Sequence, residues 1–330
     1  MPLPHQKHNL FEREILNEVA VKILAVVDEK PASIQSLEAA LLVAERTRAE
    51  LGVIAIRSGT HATEETPPVG VEIPAGERRA MPPGLRVLLG AADRLVAAGC
   101  LTPFTTIKLR DLPHGHLFFL LRANGERMPF SERYGALVEE LNHEIDGAGY
   151  NLVVIASPRR GALGRFAPMN LPRRLALDLH CSFWIARGGS PDSRLVVCAD
   201  GSPSSRRIFT LLQKLLPALP GPVDLLCARR PGDSAEQAET AEHYLAKAAQ
   251  WLRRQGKPVR VLTPEGKKRA ELILSAAGAD ALIIMGESHM HDVRRRTLGS
   301  LPMKVMARAE SSLILAKLAN EPGEEVFEGV

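Results

Sequence analysis

The segment Ala281–Ala316, ALIIMGESHMHDVRRRTLGSLPMKVMARAESSLILA, matches Asn151–Ala186, NLVVIASPRRGALGRFAPMNLPRRLALDLHCSFWIA, at a constant offset of 130 residues (281 − 151). Each segment begins with an apolar run typical of a buried strand. Each then continues through a loop and a helical pattern and ends in a second short apolar run. A constant offset between matched elements indicates an internal repeat, so one structural unit is predicted to occur twice.

The composition is that of a globular protein with room for two domains: 330 residues, 45% hydrophobic and 24% charged. A net charge of +4 is too small to indicate nucleic acid or a membrane surface as a partner. No apolar run reaches the roughly 18 residues that a membrane span needs, and residues 1–8 have no signal-peptide core. The 4 cysteines form no CxxC pair. We therefore expect reduced core thiols and a cytoplasmic location.

Apolar runs alternate with helical patterns throughout the chain. The predicted strands are 21–27, 51–56, 104–109, 151–155 and 183–185, then 195–199, 223–227, 258–262, 281–285 and 313–315. The helices predicted between the strands are 33–50, 83–98 and 131–145, then 203–216, 235–255 and 267–277. This alternation predicts an α/β fold of two tandem doubly wound domains, whose parallel sheets carry helices on both faces. The two repeats are expected to pack against each other as a dimer-like pair.

The repeat also defines the domain boundaries that we predict. They are an N-terminal extension at 1–20 with a lead helix at 9–19, domain 1 at 21–187, a linker at 188–193, domain 2 at 194–318 and an acidic tail at 319–330. Domain 1 is longer because of two insertions, 57–82 and 112–129, the second with a hairpin near 117–121. The first insertion is rich in Thr, Pro, Gly and Glu, which is typical of a loop.

Asp200 directly follows a predicted strand and is itself followed by Gly201 and Ser202. Ligands of parallel sheets bind at the carboxyl ends of strands, near the point where the strand order reverses. A carboxylate at this place can accept a hydrogen bond from a ligand amine or a ribose hydroxyl. It can equally cap the helix that follows, and the spacing alone leaves both roles open.

The loop from Gly286 to Ser300 is the second candidate site. Glycine at a strand end allows a close approach of backbone to a ligand. Gly299 and Ser300 open a helix, where free N–H groups favour a phosphate. The basic stretch 291–296, which lies between Gly286 and Gly299, suits a polyphosphate. The alternative interpretation is a solvated surface loop.

At these residues the chain resembles the universal stress protein family, over nearly all of both halves. ATP-binding members have Gly, two residues, Gly, nine residues, Gly and then Ser or Thr. Here that pattern is occupied by Gly286, His289, Gly299 and Ser300. The resemblance implies an adenine nucleotide alpha hydrolase-like fold with a five-stranded parallel sheet in each domain. It also implies pairing through the last strand, ATP with magnesium as the ligand, and contact of Asp200 with adenine or ribose.

Two departures from the family pattern limit that inference. His289 replaces the middle glycine, which removes backbone freedom where the family's loop meets phosphate. In the first half, Ala156, Arg159, Met169 and Asn170 stand at the corresponding positions. Domain 1 is therefore predicted to be degenerate for triphosphate, although Asp28 is retained in the position of Asp200 and the loop is rich in arginine.

No catalytic or metal motif is recognisable. The pairs His289/His291, beside Asp292, and His114/His116 are weak candidates for zinc, and we predict no metal. The chain has no Walker A lysine motif, no Gly-x-Ser-x-Gly and no HExxH. At most, slow ATP hydrolysis is expected.

The predicted function is adenine-nucleotide-responsive binding and regulation through domain 2, in an internal pseudo-dimer that could itself pair as a homodimer. One alternative is a nucleotide-free scaffold that acts through protein–protein contacts. Another is a small-ligand sensor with a pocket in domain 1 built by the insertions. The fold alone does not decide between these functions.

Overall fold

The computed structural model of the protein describes residues 21–59, 70, 72–157, 170–188, 192–287 and 301–317. The predicted lead helix at 9–19 and the predicted acidic tail at 319–330 lie outside these residues.

Strands and helices alternate through the first half. In chain order the elements are β1 (Lys22–Val27), α1 (Ser33–Thr47), β2 (Glu50–Arg57), β3 (Glu72–Pro74), α2 (Pro83–Ala97), β4 (Thr106–Lys108), β5 (Arg110–Leu112), β6 (Gly115–Leu121), β7 (Arg127–Tyr134), α3 (Leu137–Ala148), β8 (Leu152–Ala156), α4 (Asn170–Asp178) and β9 (Ser182–Ala186). A short 3-10 turn, Arg78–Ala80, precedes α2.

The second half repeats the order without the additions. Its elements are β10 (Leu195–Cys198), α5 (Pro203–Leu215), β11 (Val223–Leu226), α6 (Ala235–Arg254), β12 (Val259–Leu262), α7 (Arg269–Ala277), β13 (Leu282–Gly286), α8 (Leu301–Arg308) and β14 (Ser312–Ala316). Strands β8 and β13 begin 130 residues apart, as do β9 and β14. The offset seen in the sequence is therefore also an offset between equivalent strands.

Within the described residues, 12 strands form one sheet in the order β12-β11-β10-β13-β14-β9-β8-β1-β2-β7-β6-β5. The second-half strands β12, β11, β10, β13 and β14 are all parallel, as predicted. The first half has the equivalent five parallel strands, β9, β8, β1, β2 and β7. The predicted α/β fold with a parallel sheet in each half is confirmed, and the two sheets join edge to edge through the last strand of each half, as the family resemblance implied.

The prediction of the third parallel strand in the first half was wrong. The segment predicted at 104–109 contributes β4, which pairs only with β3 in a separate two-stranded sheet among the described residues. The parallel position beside β2 is occupied by β7. The second insertion forms β5 and β6, which extend β7 in antiparallel order, so the hairpin expected near 117–121 is present but belongs to the main sheet.

The helix predicted at 131–145 was wrong at its start, because residues 131–134 still belong to β7 and the helix runs over Leu137–Ala148. The charged residues Glu132 and Arg133 made this part of the chain resemble a helix surface, although it is a strand with a buried face. Met128, Phe130 and Glu132 all point inward, and the Glu132 carboxylate lies 3.1 Å from His116 Nδ1 on the adjacent strand. The pair gives the buried Glu132 carboxylate and His116 Nδ1 a partner in the strand interior, where unpaired polar atoms are costly.

Each face of the sheet carries its own apolar core. In β13, Leu282 and Ile284 pack on one side with residues of α5 and α6, while Ile283 and Met285 pack on the other with residues of α7 and α8. This alternation follows from the two-residue period of a strand. Helices cover both faces, so the polar groups that can meet a ligand are concentrated at the strand ends.

The two halves meet where β9 pairs antiparallel with β14. The register places Trp184 opposite Ile314, and these two residues are themselves equivalent in the 130-residue repeat. A local pseudo-twofold axis therefore passes through this pair, as in an isologous dimer contact. We refer to the β9–β14 contact, with the side chains that cross it, as the seam.

Two serines cross-link the seam in a symmetric way. Ser182 Oγ accepts the backbone N–H of Lys317 at 3.0 Å, and Ser312 Oγ accepts that of Arg187 at 3.1 Å. Each hydroxyl also donates to a carbonyl of the other half, Ser182 to Lys317 O and Ser312 to Gly188 O. Each half thus satisfies buried or partly buried backbone groups of the other.

The side chains of those two cations extend the symmetry to the last helix of each half. Arg187 Nη2 donates to Met306 O at 3.0 Å, near the end of α8, and Lys317 Nζ donates to Leu179 O at 2.6 Å, just after α4. Cations at a helix C-terminus bind the open carbonyls and oppose the helix dipole. Burial lowers the pKa of the Lys317 ammonium from its usual value, and the nearby Glu287 carboxylate opposes that shift.

Candidate functional site

Asp200 lies at the carboxyl end of β10, where Gly201 has a φ of +79° and leads into α5. The carboxylate is exposed, and its Oδ1 accepts the N–H of Ser202 and the hydroxyl of Ser205, both at 3.1 Å. The carboxylate is therefore fixed by local bonds at the start of the helix. Because both bonds end on Oδ1, the other oxygen can accept a hydrogen bond from a ligand.

Gly286 ends the adjacent strand β13, which pairs directly with β10. A Cβ at this position would lie 2.2 Å from the carbonyl oxygen of Ser204 in the first turn of α5. Glycine is required here by the close approach of two backbones. Of the other predicted loop residues, His289, Gly299 and Ser300 lie outside the described part of the chain.

Two side chains of α5 bind Glu287, the first residue of the loop after Gly286. The carbonyl oxygen of Glu287 accepts the hydroxyl of Ser204 at 2.6 Å and Arg207 Nη1 at 3.2 Å. The Glu287 carboxylate lies 3.7 Å from Arg207 Nη1 and 3.6 Å from Lys317 Nζ. Since Arg207 is only 3% exposed, burial lowers the pKa of its guanidinium from the usual value, and Glu287 partly reverses that effect.

This support for the loop was not predicted from the sequence. Arg207 and Lys317 bind Glu287, and Lys317 also crosses the seam, so the loop is connected to domain 1 through one side chain. One signal was present: Lys317 stands at the offset of 130 residues from Arg187, which performs the same role on the other side. Arg207, in contrast, is placed by the crossing of α5 over β13, which the sequence does not show.

Two thiols lie beneath Asp200. Burial raises the pKa of Cys198 above its usual range, and the Asp200 carboxylate adds to the effect. The same two causes raise the pKa of Cys227 to about 11. All four cysteines are free and none is exposed. The two thiols therefore remain protonated at neutral pH and are poor nucleophiles.

The corresponding end of β1 in domain 1 has a different arrangement. Asp28 Oδ1 accepts the N–H of Lys30 at 2.8 Å, and the hydroxyl of Ser33 donates to the carbonyl of Asp28 at 2.8 Å. A cleft of about 420 Å³ opens beside Asp28 between α1 and α2, with Val87 and Arg94 on its far wall. Ala156 ends β8, while Arg159 and Met169 lie outside the described residues. The cleft is lined by the two helices rather than by the insertions.

The weak zinc candidates in domain 1 bind different acids. His116, which is almost fully buried, contacts Glu132 at 3.1 Å, and the exposed His114 lies 3.7 Å from Glu140. Within the described segments, no group of three or more His, Cys, Asp or Glu side chains is arranged to hold a metal ion. His291 and Asp292 lie outside those segments. The same segments contain no helix with the length and apolar character needed to cross a bilayer.

These features define a doubly wound α/β protein with a candidate ligand site at the carboxyl ends of β10 and β13. Residues 193–317 match the universal stress protein family, so the second half of this chain is similar in sequence to that family. None of the curated proteins compared with this chain is significantly similar to it in sequence.

Solved structures extend the likeness to the first half. A universal stress protein from Archaeoglobus fulgidus aligns with 91% of this chain and 97% of its own, with a TM-score of 0.58 and 18% identity. A putative universal stress protein from Pseudomonas aeruginosa aligns with 90% and 93%, with a TM-score of 0.55 and 12% identity. A universal stress protein in complex with cAMP aligns with 38% of this chain and 98% of its own, at 19% identity and a TM-score of 0.31. At these identities the first two likenesses establish a shared fold over both halves.

Proposed function

We propose that the protein is a cytoplasmic, nucleotide-responsive binding protein in which domain 2 holds an adenine nucleotide. The observation that carries this proposal is the pairing of an exposed carboxylate, Asp200, with the Cβ-less Gly286 at the ends of adjacent strands. An acceptor beside a close backbone approach suits a nucleoside, whose amine and hydroxyls donate. The family match of residues 193–317 supports the same assignment.

The roles proposed for the remaining residues follow the family pattern. Gly201 and Ser202 would border the nucleoside at the start of α5, and Gly299 and Ser300 would offer N–H and hydroxyl donors to the phosphates. His289 would border the phosphates in place of a glycine. The fit of these residues to ATP with magnesium concerns charge alone. A bound magnesium ion would share the negative charge of the phosphates. None of these residues is proposed to have a catalytic role.

Thermal unfolding in the presence of ATP, ADP, AMP and cyclic AMP tests the proposal. A ligand that binds only the native state stabilises it by about 2.7 kcal/mol at a hundredfold excess over Kd. We expect ATP with magnesium to raise the melting temperature of the wild type. An unchanged melting temperature at saturating concentrations of all four nucleotides would contradict the proposed function.

Variants at the proposed site distinguish a loss of nucleotide binding from a loss of folding. Asp200→Ala, and Gly299→Val with Ser300→Ala, should reduce the ATP-dependent shift, while Asp28→Ala makes the equivalent change in domain 1 and should leave it intact. His289→Gly should tighten ATP binding if the loop requires positive φ at this position. Equal or weaker affinity of the glycine variant in calorimetry would show that His289 does not limit the site.

The cleft beside Asp28 favours a second candidate function, a small-ligand sensor based on domain 1. The cleft combines apolar walls from Leu37 and Val87 with charged groups from Asp28 and Arg94. This mixture is typical of sites for small polar molecules. A small polar ligand bound in the cleft would stabilise the wild type against thermal unfolding. It would not stabilise Gly90→Leu, because the leucine side chain on α2 would fill the cleft.

A further inference from the structure

Among the described residues, the second insertion of domain 1 adds a piece of sheet that is covered on one face only. Successive residues of β6 point to opposite faces. Phe118 and Leu120 are buried in the core that includes residues of α2. Leu117, Phe119 and Leu121 point the other way and belong to neither apolar core of the described chain, and Leu121 is 50% exposed. We refer to these three residues as the apolar row of β6.

On the face that carries the apolar row, the helix cover ends near β7. Leu141 of α3 packs in the same core as Ile54 of β2. Glu144 of α3 accepts the hydroxyl of Ser131 on β7 at 3.0 Å. Because Ser131 lies directly opposite Leu117 in the β6–β7 register, the apolar row begins immediately beyond the strand that α3 reaches.

Two arginines border the apolar row. The Cζ atom of Arg127 on β7 lies 4.3 Å from the centre of the Phe119 ring, and that of Arg110 on β5 lies 5.3 Å from it. Both arginines are exposed, and neither forms an ion pair with another described residue. The neighbouring Glu126 is bound by Arg122 instead. A partner for this face therefore needs an apolar stripe that is bordered by acids.

The segment that precedes β1 has this pattern. The sequence predicts a helix over 9–19, and Asn9 followed by Glu12 is a typical N-terminal capping pattern. Its apolar residues recur every four positions and form one stripe of the helix. The stripe consists of Phe11, Ile15 and Val19. Glu12 borders the stripe on one side, and Glu14 and Glu18 border it on the other.

The same segment is within reach of the apolar row. Only Ala20 separates the predicted helix from Val21, which directly precedes β1. Strands β1, β2 and β7 are parallel, so the pair Arg127–Leu121 at the start of β7 lies level with the start of β1. Strand β6 is three strand spacings from β1, which is roughly 14 Å. A helix over 9–19 is about 16 Å long and can span that distance.

We propose that residues 9–19 form an amphipathic helix that packs on the outer face of β6. Phe11 and Ile15 then cover the apolar row, and the glutamates lie beside Arg110 and Arg127. The helix provides on this face the cover that α2 provides on the other. The short connection to β1 keeps the helix at a high local concentration, which favours docking within one chain over docking between two chains.

Photocrosslinking in the full-length protein tests the contact. With benzoylphenylalanine in place of Phe11, irradiation should join position 11 to the segment 115–129 of the same chain, as identified by mass spectrometry. The same group in place of Arg13 lies on the opposite side of the helix and should crosslink to this segment several-fold less. The yield should not depend on protein concentration, because both partners belong to one chain.

Charge variants separate the proposed contact from damage to folding. Arg127→Glu should lower the yield from position 11 several-fold, and the added changes Glu14→Lys and Glu18→Lys should restore it. Arg253→Glu makes the same charge change at an exposed position on α6 and should leave the yield unchanged.

Three outcomes overturn the proposal. They are a failure of position 11 to crosslink to the segment 115–129, equal yields from positions 11 and 13, and equal effects of Arg127→Glu and Arg253→Glu. A product that joins two chains and increases with protein concentration would also overturn it, because the apolar row would then bind a second copy of the protein.

Discussion

The absence of a side chain at Gly286 lets the end of β13 rest directly on the first turn of α5. In Gly286→Ala the new Cβ would lie 2.2 Å from the carbonyl oxygen of Ser204, so one of the two backbones must move. We expect a loss of about 2 kcal/mol in the free energy of unfolding, within the range for overpacking. Urea denaturation measures this loss, and ATP-dependent stabilisation of the same variant should fall as the loop is displaced.

Gly147 provides the control for that prediction. It lies within α3, where an added Cβ meets no atom within 4 Å. Alanine in a helix is favoured over glycine by roughly 0.5–1 kcal/mol, so Gly147→Ala should be neutral or stabilising. Equal effects at Gly147 and Gly286 would contradict the close backbone contact.

Asp224 is the second position at which one residue decides local stability. Its carboxylate is 1% exposed and binds Arg260 Nε at 2.7 Å and Nη2 at 2.8 Å, as well as Arg194. Hydrogen bonds from Arg260 first, then from Arg194, hold the pKa of Asp224 below its usual range against the opposing effect of burial. Because both arginines are partly exposed, we expect Asp224→Asn to lose only about 2 kcal/mol at pH 7, less than a fully buried pair.

The lowered pKa of Asp224 fixes the sign of the pH dependence. Stability from this carboxylate is fully present above its unfolded value, 3.8, and is lost as the pH falls through the lower native-state value. The difference in unfolding free energy between the wild type and Asp224→Asn should therefore be constant near neutral pH and shrink below about pH 4. A difference that stayed the same at acidic pH would exclude the ionised carboxylate as its source.

At the level of elements, the seam depends on the two serines that exchange backbone bonds between β9 and β14. Ser182→Ala would leave the partly buried N–H of Lys317 without its acceptor, and Ser312→Ala would do the same to the buried N–H of Arg187. Each variant should lose about 1–2 kcal/mol of unfolding free energy, the penalty for an unsatisfied buried group. Guanidinium denaturation of both single variants and the double variant measures the effects.

Ser311 is the matched control for the seam. It adjoins Ser312 and is fully buried, but within the described residues its hydroxyl has no hydrogen-bond partner. Ser311→Ala removes a polar group that no bond compensates, so it should not destabilise the protein. If Ser311→Ala were as harmful as Ser312→Ala, the loss would reflect packing rather than the bonds across the seam.

The sequence predicted the elements whose pattern is local. The parallel strands other than β7 are β-branched or leucine-rich runs, and their predicted positions agree with the structure to within two residues. Strand β7 was not predicted because charged residues such as Glu132 and Arg133 are typical of a helix surface. In the structure Glu132 instead pairs with His116 on the adjacent strand β6. Such a pair depends on the register of two strands, which a single sequence does not specify.

The candidate site was predictable to the same extent. Asp200 and Gly286 were found because both follow a strand directly, and position in a parallel sheet then brings them together. The run Lys267-Lys268-Arg269 is visible in the sequence, but a charge run alone is usually a solvated surface. Only the packing of α7 beside α8 brings Arg230 and Lys304 together with this run, around one cleft of about 340 Å³.

For the molecule as a whole, the seam makes the two halves one continuous sheet, and this predicts how the protein unfolds. Trp184 lies in the seam and Trp251 in α6, both less than a tenth exposed. Their combined fluorescence and the far-UV circular dichroism should change in a single transition. If one half unfolded alone, the edge strand of the other half at the seam would lose its partner. Two resolved transitions would show that the halves unfold independently.

The same transition should have a midpoint that does not change with protein concentration. The two partners of the pseudo-dimer are joined covalently, so their association is intramolecular. A midpoint that rises with concentration would instead indicate pairing between chains. Since β9 and β14 already occupy each other, that pairing would have to use the outer edges β5 or β12 among the described strands.

Tethering also fixes the stoichiometry of the pair. The two subunits of a homodimer necessarily carry identical sites. The two halves of one chain differ in sequence, so each half always pairs with a non-identical partner. Asp28 and Asp200 therefore need not serve the same ligand, and the seam can be preserved while one pocket changes its chemistry. With a single nucleotide per chain, saturation would follow a simple hyperbola, without the cooperativity that a symmetric pair of sites permits.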